Sequence, residues 1–318
     1  MTSRIIHIVS LFVAFVSILL LTSCNSSQSI VKQQPDSRLQ QKLEEIFRGF
    51  KGDAGVYVRN LTTGQTAAIR PDTLFPTASM IKVPILCALF DKIDKGELKY
   101  SQELLYRDSL KYDDVVTGSF RDSTKIVLAE VVMLMITLSD NTASLWLQQL
   151  AGTGATINDW LELNGFHQTR VNSRTPGREA QRRIYQWGQT TPREMAELMA
   201  MICEERAVSP DASEQMFRVL SKPYWDGEAL SQIPPTIHVA SKSGAVNASK
   251  SEVVLVNGPS GDYVFCVITK NQQDQRWEPD NEGYDLIRRV SRMLWEYFEP
   301  NWKWKPKPGY ERWAKPDR

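Results

Sequence analysis

Histidine is scarce in this chain: only His7, His167 and His238 occur in 318 residues. Three scattered imidazoles do not make a zinc-hydrolase site, and they leave His238 as the one base available to a Ser-His-Asp triad. Cysteine is equally sparse. None of the four forms a CxxC pair, which argues against a disulfide framework or a zinc knuckle. Cys87, Cys203 and Cys266 stand among apolar neighbours and read as small buried hydrophobes. A charge excess is missing too: 38 Lys and Arg against 37 Asp and Glu leave +1, so no strong field draws in nucleic acid. No metal or organic cofactor is implied. With 42% hydrophobic and 24% charged residues, the chain is long enough to bury a sizeable core as a monomer.

The N-terminus has its own pattern. Arg4 leads into an apolar run, Ile5 to Leu21, broken only by His7, Ser10 and Ser17. The run is short for a spanning helix and fits the apolar region of a signal peptide. It closes on Leu21-Thr22-Ser23-Cys24, which resembles a bacterial lipobox with Cys24 as the lipidated residue. The expected organisation is a signal peptide over 1–23, then a lipidated Cys24 with a polar tether over 24–36. The exported body would be held by its lipid at the cell envelope. A domain spans 37–298, followed by a basic, aromatic tail over 299–318.

Within the body, Leu39, Leu43, Ile46, Phe47 and Phe50 have helical spacing, and Ala54–Asn60 with Gln65–Arg70 read as a hairpin. A helical block follows: Ser79–Ile93, Ile126–Leu150, Ile157–Leu163, Pro192–Glu205 and Ala212–Leu220. Thr191 and Pro192 mark a helix start. Strands return at Ile237–Ser241, Glu252–Asn257 and Tyr263–Lys270, and an amphipathic helix runs from Tyr284 to Phe298. This order predicts an α+β protein in which strands from both ends join one antiparallel sheet. Terminal helices cover one face, an all-α subdomain lies alongside, and the site falls in the groove between the parts.

Three short motifs occur in sequence. Ser79-Met80-Ile81-Lys82 opens a helix, Ser139-Asp140-Asn141 follows one, and Lys242-Ser243-Gly244 ends a strand. Each is weak alone. Together, in this order, they resemble the signature of class A β-lactamases and penicillin-binding proteins. The likeness covers nearly all of 37–298, including Thr137–Ala143, Thr190-Thr191-Pro192 and Gly258-Pro259, and it implies a five-stranded antiparallel sheet.

The residue types suit that chemistry. A serine hydroxyl needs a base, and a spacing of three on a helix puts Lys82 on the face of Ser79. Lys82 serves as base only when neutral, a form that burial and the charge of Lys242 both favour. Ser139 is placed to relay a proton to a leaving nitrogen, Asn141 to bond a substrate amide, and Asp140 to hold the turn. Lys242 and Ser243 would take a substrate carboxylate, and Gly244 would let substrate backbone pass close. The Ala245 N–H would form an oxyanion hole with that of Ser79.

One loop departs from the resemblance. In the family a Glu there activates the water that hydrolyses the acyl-enzyme. Here Thr175 occupies that place, Glu179 stands where the family has a water-binding Asn, and Gly188 replaces an acidic, loop-closing residue. Glu179 is the only carboxylate between Glu162 and Glu194. If Pro176–Arg182 formed a helical turn, 175 and 179 would share a face and Glu179 could hold the water; otherwise it pairs with Arg178, Arg182 or Arg183.

These residues lead us to expect a serine hydrolase that opens a β-lactam through an acyl-Ser79 intermediate. The alternatives are a penicillin-binding-type peptidase or esterase acting on cell-wall peptide, and a non-hydrolysing β-lactam sensor or cell-wall binding module. For the N-terminus the expected outcome is specific: Cys24→Ser, or globomycin, moves the protein out of the detergent phase or blocks its processing. A Cys24→Ser protein cut at the same site and still membrane-bound contradicts the lipobox.

Overall fold

The computed structural model describes residues 31–113, 115–307 and 309. The expected signal peptide, Cys24 and most of its tether lie outside the described residues, as does the end of the tail. The body begins at Gln33.

Its main sheet has six strands in the order β1-β3-β2-β11-β10-β9. These are β1 (Gln34–Pro35), β2 (Asp53–Asn60), β3 (Gln65–Ile69), β9 (Val239–Val246), β10 (Ser249–Val256) and β11 (Tyr263–Lys270). Five are antiparallel neighbours, as expected. The sixth, β1, runs parallel to β3 and comes from the segment read as a tether. Its polar composition hides it, because Gln34 and Asp36 dock through backbone hydrogen bonds to Gly64 and Thr66, both at 2.8 Å, and not through apolar side chains.

Alternation along the strands splits the interior in two. Val56 and Val58 of β2, Val254 and Val256 of β10, and Phe265 and Val267 of β11 pack on one face. They meet Leu39 and Leu43 of α1 (Ser37–Phe47) and Ile287, Val290 and Leu294 of α9 (Glu282–Phe298). Tyr57, Val253, Leu255, Val264, Cys266 and Ile268 point the other way, against Met195, Leu198 and Met199 of α7 (Pro192–Cys203) and the helical block behind it. Because both faces are covered, all eight residues of β10 are buried. Its second half, Val253–Val256, is wholly apolar, and its first half buries Ser249, Lys250, Ser251 and Glu252.

The helical block contains α2 (Lys82–Asp94), α3 (Leu128–Thr137), α4 (Asn141–Leu150), α5 (Thr153–Leu163) and α8 (Pro210–Leu220). The expected single helix 126–150 is thus two. It breaks at Ser139, whose φ of +60° is left-handed and ends a right-handed helix. Small paired strands join the parts: β4 (Phe75–Pro76), β7 (Arg170–Val171) and β8 (Gly188–Thr190) in one sheet, and β5 (Glu103–Leu105) with β6 (Lys125–Val127) in another. Lys242–Gly244 lies inside β9 and not at a strand end, and β9 is an edge strand. At the other end the body continues past 298. Glu299 accepts from Ser260 N and Oγ at 2.7 and 2.8 Å, and Trp302 stacks edge-on against Trp295.

Arg59 explains how α7 is clamped to the sheet. It follows Tyr57 on the α7 face of β2 and is buried, donating to Glu197 at 2.7 Å and Glu204 at 2.8 Å. Removing the cation would leave Glu197 with only the neutral donors Tyr57 and Gln33, while Glu204 keeps Arg206. We expect Arg59→Met to lower unfolding free energy by about 2–4 kcal/mol in a urea titration. Arg59→Lys should recover only part of this, because an ammonium lacks the planar fork that reaches both acids.

Candidate active site

Ser79 lies in a single 3-10 turn, Ala78–Ile81, that runs directly into α2. The turn is set by its neighbours. Ala78 has a left-handed φ of +45°, a conformation that costs an L-residue on the order of 1 kcal/mol and needs support. Support comes from Thr77 N donating to Gly188 O at 2.9 Å and from Met80 N donating to Thr77 O at 3.0 Å.

The three-residue spacing does bring Lys82 to Ser79, as the sequence predicts. Lys82 is 1% exposed, and its Nζ lies 3.0 Å from Ser79 Oγ, 3.0 Å from Ser139 Oγ, 2.6 Å from Ser139 O and 2.9 Å from Asn141 Oδ1. Four acceptors exceed the three N–H donors of an ammonium. The serine hydroxyls therefore share a donor; only the neutral amine, which has a lone pair, could instead accept an O–H from one of them. General-base activation of a hydroxyl requires that second arrangement.

Ser139 reaches this cluster because the chain reverses there. Trp225 Nε1 donates to Leu138 O at 3.0 Å, Tyr224 N to Thr137 O at 3.1 Å, and Asp140 N to Leu134 O at 3.1 Å. Asp140 is fully buried and caps α4 through Ala143 N at 2.7 Å. Its second oxygen takes Val116 N and Thr117 N at 3.1 and 2.8 Å. Asn141 is oriented by Asp113, which accepts from Asn141 Nδ2 at 2.9 Å and so leaves Oδ1 for Lys82. Asp113 and Trp225 were not legible in the sequence, since nothing local marks a loop acid or a loop tryptophan as a partner of a distant turn.

The edge strand β9 closes the other side. A Cβ built on Gly244 would sit 2.6 Å from Thr77 O and 2.9 Å from Ser79 N, so only glycine lets the strand lie on the Ser79 turn. Ser251 Oγ donates to Gly244 O at 2.9 Å across the ladder and braces it. Lys242 shares the Gly244 face two residues earlier, is 2% exposed, and donates to Ser243 O at 2.9 Å. Ser243 is buried opposite Glu252, and Ala245 is half-buried opposite Lys250. Among the described residues no group of three or more His, Cys, Asp or Glu side chains could hold a metal ion.

The loop between β7 and β8 differs from what the sequence suggests. Its helix, α6, spans Glu179–Tyr185, so it begins too late to place 175 and 179 on one helical face. Thr175 is 7% exposed and turns away to α5, where its Oγ1 fills the space a side chain on Gly154 would need. That hydroxyl bonds Ser173 O at 3.0 Å. Glu179 is exposed and accepts from Gly177 N at 3.1 Å; it makes none of the expected arginine pairs among the described residues. Gly188 has no room for an acidic side chain, because a Cβ there would lie 2.5 Å from Ile81 Cδ1.

The neck is nonetheless tied. Arg178 donates to Asn172 Oδ1 at 2.9 Å and Gln189 Oε1 at 2.8 Å, while Gln148 Nε2 reaches Ser173 O at 2.6 Å. Burial, and then nearby Arg170, lower the Arg178 pKa from its ordinary value, as expected for a guanidinium bonded to neutral amides.

Known proteins share this fold. VEB-1 β-lactamase of Pseudomonas aeruginosa is 22% identical over 271 residues, 81% of this chain and 89% of the relative. The structure of PBP-A superposes with a TM-score of 0.76 at 27% identity, covering 86% of this chain and 100% of PBP-A. An acyl-enzyme complex of a PBP-A mutant with penicillin G gives 0.75 at 28%, with 85% and 99% covered. An ancestral class A β-lactamase gives 0.71 at 24%, with 81% and 99% covered. A model of the β-lactamase enzyme family matches residues 38–298, which takes in every element that builds the site, and the chain belongs to that family.

Proposed function

We propose that Ser79 attacks the carbonyl of a β-lactam or of a similar cell-wall amide and carries the acyl group as an ester. The observation that carries this reading is the buried Lys82 Nζ at 3.0 Å from both Ser79 Oγ and Ser139 Oγ. Lys82 takes the Ser79 proton as the Oγ–C bond forms. As the C–N bond breaks, Ser139 passes a proton to the departing nitrogen and is resupplied from Lys82. The N–H groups of Ser79 and Ala245 would hold the oxyanion, Asn141 the acyl-side amide, and Lys242 with Ser243 the substrate carboxylate. The penicillin G acyl-enzyme of a PBP-A mutant supports the same step here. A lipid at Cys24 would keep this activity at the cell envelope.

Deacylation favours the penicillin-binding reading over fast β-lactamase turnover. Thr175, in the place of the family's Glu, is packed on α5, and Glu179 is exposed on its own loop. We therefore read the acyl-enzyme as long-lived, with attack by water or by an acceptor amine slow on a β-lactam.

Intact-mass trapping tests the first step. Penicillin should add one acyl group to the wild-type body and none to Ser79→Ala, which still folds because little more than a turn residue is lost. Persistent labelling of Ser79→Ala would overturn the nucleophile. For the second step, nitrocefin turnover should be slow, and Glu179→Gln should change it by less than about 3-fold, against the ~10²–10⁴ lost with a general base. Thr175→Glu should destabilise by about 1–3 kcal/mol without restoring turnover, since its site is already filled by the contact with Gly154. Fast nitrocefin turnover that collapses in Glu179→Gln would establish a β-lactamase with a displaced base.

A further inference from the structure

The loop from 170 to 183 holds five arginines, Arg170, Arg174, Arg178, Arg182 and Arg183, and one carboxylate, Glu179. Two are accounted for structurally. Arg170 pairs with Glu162, and Arg178 is bonded to the side-chain amides of Asn172 and Gln189. Arg174 and Arg182 make no ion pair among the described residues. Both line a cavity of about 240 Å³ together with Tyr112, Trp187, Ser173 and Gln186. Tyr112 and Trp187 form its aromatic wall, their rings edge-on at 5.1 Å and 75°.

Two further observations set this cavity apart from loose surface. Arg174 and Gln186 both have left-handed backbones, at φ +46° and +57°. Neither is glycine, so the loop sustains strain at two residues that line one cavity. Two residues of its wall also adjoin, in the chain, residues that pack on the Ser79 site. Trp187 precedes Gly188, which packs on Ile81 of the nucleophile turn. Tyr112 precedes Asp113, whose carboxylate is already bonded to Asn141 Nδ2 and Thr142 Oγ1. Tyr112 thus adjoins the residue that orients Asn141, whereas Lys242 lies on β9.

We propose that this cavity is a subsite for a second carboxylate, carried on the acyl side of the substrate, so that the site selects dianionic acyl donors. A guanidinium binds a planar carboxylate through paired N–H donors, and two of them beside aromatic faces hold it in place. The volume suits a short carboxyalkyl or carboxyaryl group, being roughly eight waters' worth at ~30 Å³ each. The proposal rests on the reading of Ser79 as the acylated residue.

Benzylpenicillin and carbenicillin test it, because carbenicillin adds one carboxylate to the acyl side chain. In the wild type, acylation of Ser79 followed by intact mass should favour carbenicillin. In Arg174→Gln/Arg182→Gln the carbenicillin-to-benzylpenicillin ratio of acylation rate constants should fall about 10- to 100-fold, the factor for losing one charge-assisted hydrogen bond or more. A ratio that moves less than about 2-fold overturns the subsite; a fall of about 1.4 kcal/mol in discrimination is the tenfold threshold.

Calorimetry on Ser79→Ala reads binding without chemistry and separates the two ideas. Arginine-dependent preference for carbenicillin there supports the subsite even if the wild type acylates with neither penicillin, which would overturn the acyl-enzyme reading alone. Equal affinity for both penicillins, with and without the arginines, overturns the subsite. Arg174→Gly adds a readout that a purely structural role would not give. It should raise Tm by relieving a left-handed residue while lowering the same ratio, and a raised Tm with an unchanged ratio removes Arg174 from the subsite.

Discussion

The buried amino group of Lys82 is the constraint on which the site depends. Taking such a polar group out of water is costly unless its hydrogen bonds are met, and here they are met by Ser79, Ser139 and Asn141. Satisfying the lysine therefore fixes the distance between two hydroxyls that come from turns 60 residues apart in the chain. The same contacts that make burial tolerable would serve the proposed proton transfer, so stability and chemistry would share one set of hydrogen bonds. Packing behind them is dense: Met80, Ile81, Val83 and Ile85 around the lysine are all fully buried.

Two strained residues present the hydroxyls. Ala78, just before Ser79, and Ser139 itself both occupy left-handed backbone, and each is over-determined by partners from other elements. Gly188 receives Thr77 N; Trp225, Tyr224 and Leu134 hold the Ser139 turn. Such residues persist only when their surroundings offset the conformational cost. The edge strand then completes the groove at a separation that only Gly244 permits.

The loop beyond α5 replaces one kind of closure with another. In place of the acidic residues that the class A resemblance implies, this chain fills the space with Thr175 against Gly154 and with Gly188 against Ile81, and ties the neck through Arg178 and neutral amides. The result is a well-packed loop that leaves Arg174 and Arg182 without an ion pair among the described residues.

Much of this was legible in the residues themselves. Serine and lysine three apart on a helix, a capping Asp140, alternation along β2, β10 and β11, and the order of elements all follow from helical or strand periodicity and from local hydrogen bonding, which act over a few residues. What only the tertiary structure decided involves partners far apart. It moved Lys242–Gly244 from a strand end into the strand, recruited Gln34–Pro35 to the sheet, and assigned Asp113 and Trp225 to the site. It also left Glu179 on the surface and gathered Arg174 and Arg182 beside Tyr112 and Trp187. None of these is encoded by a local period. Each depends on whether a side chain finds space or a hydrogen-bond partner on an element dozens of residues away, and that is settled only when the elements pack.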